Sequence, residues 1–126
     1  MRIENKVSRD NIVRDKSYAF AIRIVNAYKF LGQTHREFVL SKQLLRCGTS
    51  IGALIREAEH AQSEADFLNK MNIALKEANE TLYWISLLKD TGYLDESIYQ
   101  SINNDCTEIV AILASIVKST KSKLNK

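Results

Sequence analysis

A chain of 126 residues is long enough to bury the core of one domain without disulfide or metal staples. Its 45% hydrophobic and 26% charged residues are the balance of a soluble globular protein, and no proline with only four glycines leaves too few turn signals for an all-β fold. The net charge of +3 is unevenly placed: residues 1–46 carry ten Lys/Arg against four Asp/Glu, residues 47–110 four against eleven, and residues 111–126 four lysines and no acid.

Residues 1–14 are polar and aperiodic and read as an arm that is flexible or lies along the surface. A first helix is expected over about 16–31, where Phe20, Ile24, Ala27, Tyr28 and Leu31 recur at steps of three and four. Gly32 offers a left-handed stop, and Gln33 to Arg36 form a short polar linker. A second helix is expected over about 37–61, on the rhythm Leu40, Leu44, Cys47, Ile51, Leu54 or Ile55, and Ala58. Inside it lies Gly48-Thr49-Ser50-Ile51-Gly52-Ala53. A glycine in a helix interior costs about 1 kcal/mol relative to alanine, so two of them need a compensating reason. Four residues apart, Gly48 and Gly52 share a face and would let another backbone approach closely; the alternative is a loop between two shorter helices.

A third helix should begin at Ser63, with Ser63 as cap and Asp66 in the capping-box position, and run to about Thr91. Phe67, Met71, Ala74, Ala78, Ile85 and Leu88 form its stripe, flanked by Leu68, Leu75 and Leu82, while Ile73 and Trp84 lie off it. Gly92 ends it. A fourth helix follows Asp95, a good cap, with Ile98, Ile102, Ile109, Ile112, Leu113 and Ile116 on its apolar face and a basic tail over 119–126. Four amphipathic helices with short connections predict a single all-α domain, an antiparallel up-down-up-down four-helix bundle.

No secretory h-region opens the chain, and the longest apolar stretch, Ile109 to Val117, falls far short of the ~20 residues that span a bilayer. A cytoplasmic, membrane-free protein is expected, with Cys47 and Cys106 as reduced thiols among apolar positions. His35 and His60 are isolated. Glu57, Glu77 and Glu80 lack the Glu-x-x-His pairs of a bundle metal site, and Thr49 and Ser50 have no histidine nearby in sequence to activate them. The Gly48–Gly52 stretch has neither the spacing nor the lysine of a phosphate loop. No catalytic, cofactor, metal or small-molecule site is expected.

Two features rise above that background. Gly48, Thr49, Gly52, Ile73 and Trp84 are surplus to one core stripe per helix and are candidates for close packing or subunit contact. The other is charge: antiparallel packing would gather Arg2, Lys6, Arg9, Arg14 and Lys16 with Lys118, Lys121, Lys123 and Lys126 at one end. Arg14, Lys16, Arg23, Lys118 and Lys121 are the candidate nucleic-acid contacts.

The segments Lys16-Ser17-Tyr18-Ala19-Phe20-Ala21-Ile22-Arg23-Ile24-Val25 and Gln43-Leu44-Leu45-Arg46-Cys47-Gly48-Thr49-Ser50-Ile51-Gly52-Ala53 closely resemble the bacterial 23S rRNA intervening-sequence protein family. The resemblance continues through Asp66-Phe67 and Ile73-Ala74-Leu75-Lys76-Glu77-Ala78 to Tyr83-Trp84, covering about residues 16–90. Cys47 and Leu54 depart from the serine and asparagine usual there, so no polar contact is carried over to them. The resemblance implies a four-helix bundle assembled as a homopentamer, without enzymatic activity. It also implies similarity to the accessory protein of diversity-generating retroelements, a basic bundle that works with nucleic acid. The expected function is therefore a homo-oligomeric scaffold, binding rRNA or an RNA–protein complex through basic surface. The alternative is a protein-interaction oligomer with no nucleic-acid role.

Overall fold

A computed structural model describes residues 2–125, with side chains from residue 9 onward. It contains α1 (Arg2–His35), α2 (Leu40–Ala58), α3 (Glu64–Asp90) and α4 (Glu96–Leu124). Each helix packs on two others, α1 on α2 and α4, α3 on α2 and α4, and the diagonal pairs do not meet among the described residues. Neighbours run in opposite chain directions: Gly48 lies on Ile24 and Gly52 on Ser17, Arg46 reaches Glu77 and Glu80 while Lys70 reaches Glu57. Lys89 pairs with Glu96 and Lys123 with Glu64; Arg9 bonds Ser115 and Arg23 bonds Ser101. The result is an all-α four-helix bundle.

Along its axis runs a core of Val13, Phe20, Ile24, Leu31, Leu44, Ile51, Met71, Ile85, Leu88, Ile109, Leu113 and Ile116, each less than 2% exposed. Ile55, not Leu54, is the buried member of the pair left open in α2. The Gly48–Ala53 stretch is helical throughout, so no loop divides α2. Cys47 and Cys106 are buried free thiols on the diagonal helices α2 and α4. No Cα pair between those helices comes within 8 Å, beyond the roughly 4.4–6.8 Å that a disulfide spans. Burial pushes the Cys106 thiol up to about 12.

Three boundaries differ from expectation. The expected arm is helical from Arg2, and beside it α4 carries the basic tail as helix to Leu124, its lysines at a helix C-terminus as expected. The two segments support each other. Val13 is fully buried, and the Arg9 guanidinium donates to the Ser115 and Ser119 hydroxyls at 3.1 and 3.0 Å. Gly32 is the second correction: it lies within α1, and the chain reverses at Arg36, whose φ is +54°. Arg36 N–H donates to Gly32 O at 3.2 Å, a left-handed helix end on a residue with a Cβ. Gly32 has a different reason to be glycine, since a Cβ there would lie 2.7 Å from the Phe38 ring. Gly92 ends α3 as expected, at φ +89° with Tyr93 N–H on Leu88 O.

The third correction is the start of α2 at Leu40 in place of Glu37. Glu37 is folded back as a cap: its carboxylate accepts from the N–H groups of Val39, Leu40 and Ser41 at 3.1, 3.0 and 2.7 Å. Burial pushes this carboxyl up, but the N–H groups of Leu40, Ser41 and Val39 outweigh it and hold the group below its ordinary 4.5. A depressed folded-state value means that the stabilisation is present above 4.5 and is lost as the pH falls through the folded value. Glu37→Gln should thus cost ~1 kcal/mol at pH 7. The gap from wild type should shrink in urea titrations at pH 3, and an equal gap at both pH values would refute the charged cap.

Candidate functional site

The bundle end that joins the start of α1 to the end of α4 was expected to be a basic cluster. The side chains of Arg2 and Lys6, and Lys126, lie outside the described residues. Of the five candidate contacts, three are engaged within the chain. Arg14 pairs with Asp15 at 3.2 Å and Glu59 at 3.7 Å, Lys16 with Glu108 at 2.7 Å, and Arg23 with Asp105. Lys118 and Lys121 are exposed on α4, and no ion pair engages them among the described residues. A cavity of about 460 Å³ at this end presents Asp10, Glu59 and Glu64 beside Arg14, over a floor of Ile55, Phe67 and Met71. Its rim is mixed in charge. Among the described residues, cationic surface free of ion pairs at this end lies on the α4 face, at Lys118 and Lys121.

The small residues of α2 serve a contact within the chain. A Cβ on Gly48 would come within 2.9 Å of both Ile24 Cγ atoms, and one on Gly52 within 3.4 Å of the Ser17 carbonyl oxygen. Gly48 lets α1 and α2 approach closely, whereas a Cβ at Gly52 would make an ordinary contact, and Thr49 donates its hydroxyl back to Leu45 O at 2.7 Å. Trp84 is half-buried against the core and donates its indole N–H to Glu80 at 3.0 Å. Arg46 bridges Glu80 and Glu77 from α2. The Trp84 N–H first, and Arg46 after it, hold the Glu80 carboxyl below its ordinary value. Ile73 is half-buried on the same helix and is not among the residues packed on the core.

What the sequence reading passed over is the outward face of α1. Tyr18 is 59% exposed and Ile22 49% exposed, one turn apart. Beside them runs a groove of about 290 Å³ lined by Arg14, Tyr18, Ala21, Thr49, Gly52, Ala53 and Arg56, with the Arg56 guanidinium 5.6 Å from the Tyr18 ring centre. The signal was present as an i, i+4 apolar pair opposite the Phe20–Ile24 stripe. Among the described residues no group of three or more His, Cys, Asp or Glu is placed to hold a metal, and no helix is long and apolar enough to cross a membrane.

Comparison with known proteins places this geometry. Among solved structures, the chain is similar to a protein of unknown function from the S23 ribosomal protein family of Bacteroides thetaiotaomicron VPI-5482. The two share 65% identity over 87% of this chain and 98% of that one, with a TM-score of 0.86. No curated protein matches. The family model for the 23S rRNA-intervening sequence protein matches residues 9–115. With that match spanning most of the bundle, the chain belongs to the 23S rRNA-intervening sequence protein family.

Proposed function

We propose that this protein is a non-enzymatic, cytoplasmic homo-oligomeric scaffold, pentameric as its family resemblance implies, that associates with RNA or an RNA–protein complex through cationic surface. The observation that carries the assembly is the outward face of α1. Tyr18 and Ile22 stand exposed beside a groove walled by Ala21, Gly52 and Ala53, an apolar strip framed by Arg14 and Arg56. A strip of aromatic and aliphatic side chains with arginine at its rim has the anatomy of a subunit contact. Lys118 and Lys121, exposed and without ion pairs among the described residues, support the nucleic-acid half of the reading.

A second reading has its own support. Arg14, Lys16 and Arg23 are satisfied by Glu59, Glu108 and Asp105, and such pairs favour a protein-interaction oligomer whose remaining lysines serve solubility. Light scattering with and without a 23S rRNA fragment, at low and moderate salt, separates the two. The scaffold reading expects a five-chain mass that rises with RNA, less so as salt increases. Ile22→Glu should reduce the mass to one chain while leaving the helical circular dichroism intact. A stable oligomer indifferent to RNA selects the second reading, and a wild-type monomer ends both.

A further inference from the structure

The opposite end of the bundle, formed by the α1–α2 and α3–α4 turns, carries exposed aromatic rings among cations that have no carboxylate partner. Phe30 is 37% exposed and Phe38 49% exposed. The Phe30 and His35 rings meet edge to face at 5.6 Å, and His35 meets Tyr93 in the same way at 5.6 Å. Phe38 lies on the other flank of the α1 end, its ring seated over Gly32. Lys29, Arg36 and Lys42 are all exposed here, and none is in an ion pair among the described residues. The single acid between residues 29 and 42 is Glu37, whose two carboxylate oxygens are occupied by the backbone of α2. On the facing turn, Asp90 and Glu96 are held by Lys89, and Asp95 caps Ile98.

We propose that this turn end is a binding site for unpaired, single-stranded nucleotides, with bases stacking on Phe30, Phe38 and the His35 ring, and phosphates meeting Lys29, Arg36 and Lys42. The inference rests on the nucleic-acid half of the proposed function and gives it a location. Ring faces beside cations are the two components of single-strand recognition, since every base has a π-face and every linkage a negative charge. Charge on the α1–α2 turn suits a polyanion, since Lys29, Arg36 and Lys42 stand against Glu37 alone, while Asp90, Asp95 and Glu96 of the facing turn are engaged by Lys89 or by the α4 backbone.

Fluorescence anisotropy of a labelled twelve-nucleotide single-stranded RNA, with the same sequence as a blunt duplex for comparison, tests it on the full chain. Phe30→Leu/Phe38→Leu keeps apolar bulk and removes the ring faces, and should weaken single-strand binding about tenfold with an unchanged salt slope. Lys29→Gln/Arg36→Gln/Lys42→Gln should flatten the slope of log affinity against log salt by about 2. Duplex bound as tightly as single strand overturns the stacking role. Wild-type binding that survives both variants overturns this site alone, whereas a wild type that binds no RNA removes the nucleic-acid half of the proposed function as well. A fall in oligomer mass in the leucine variant identifies the patch as a subunit contact and overturns the proposal.

Discussion

Gly48→Val is expected to destabilise the bundle by about 2 kcal/mol, whereas Gly52→Ala, one turn later on the same helix, should leave stability unchanged or raise it by up to ~1 kcal/mol. The opposite outcomes come from what each new Cβ would meet. At Gly48 it would lie 2.9 Å from both Cγ atoms of Ile24, a fully buried side chain with nowhere to retreat. At Gly52 the nearest atom is the Ser17 carbonyl oxygen at 3.4 Å, an ordinary contact, so the gain in helix propensity is kept. Urea midpoints of the two variants provide the measurement. Adding Ile24→Ala to Gly48→Val should cost less than the sum of the separate changes, because the cavity accepts the added methyls. Equal effects at the two glycines, or strict additivity in the double variant, would show that the α1–α2 approach does not depend on Gly48.

Phe20→Ala should be the most damaging single change, about 3–5 kcal/mol, against a total that is typically about 5–15 kcal/mol for a domain. Phe20 is 1% exposed in the middle of α1. The seam between α1 and α4 has a largely polar exterior: Arg9 on Ser115 and Ser119, Lys16 on Glu108, Arg23 on Asp105. Exposed pairs of this kind contribute about 0–1 kcal/mol each. Burial of Phe20, Ile24 and Val13 therefore carries the attachment of α1, and the helix that presents Tyr18 and Ile22 outward depends on it. Hydrogen exchange should show faster opening of α1 than of α3 in this variant. Uniform acceleration across all four helices would show that α1 is not separately held.

Much of the fold was legible because the apolar rhythm is regular from Phe20 to Ile116 and because Ser63, Asp95 and Gly92 carry local signals that depend on nothing distant. The ends of α1 and α2 were not legible, for a physical reason. Among residues 9–14, whose side chains are described, Val13 is the one fully buried apolar side chain, and the Arg9 guanidinium finds its partners on α4, far away in sequence. Gly32 suggests a left-handed stop in sequence, yet it lies inside α1 with the Phe38 ring seated against it, a contact made after the chain has turned. Glu37 reads as a helical residue until its carboxylate is seen on three N–H groups. For the cationic candidates, counting charges found the residues but could not assign their partners. Arg14 meets Glu59 at the end of α2, and Lys16 and Arg23 meet Glu108 and Asp105 on α4, all far away in sequence.

One asymmetry of the bundle bears on how chains of this kind can vary. α2 has 19 residues where its three companions have 27 to 34. It stops near Glu59 while α1 and α3 continue past it, and the vacant corner is the 460 Å³ cavity between Asp10, Glu59 and Phe67. At ~1.5 Å per residue, two added turns would lengthen this shortest rod by about 11 Å. The α2–α3 junction is thus where added length is expected to be borne most easily, with the other three rods left in register.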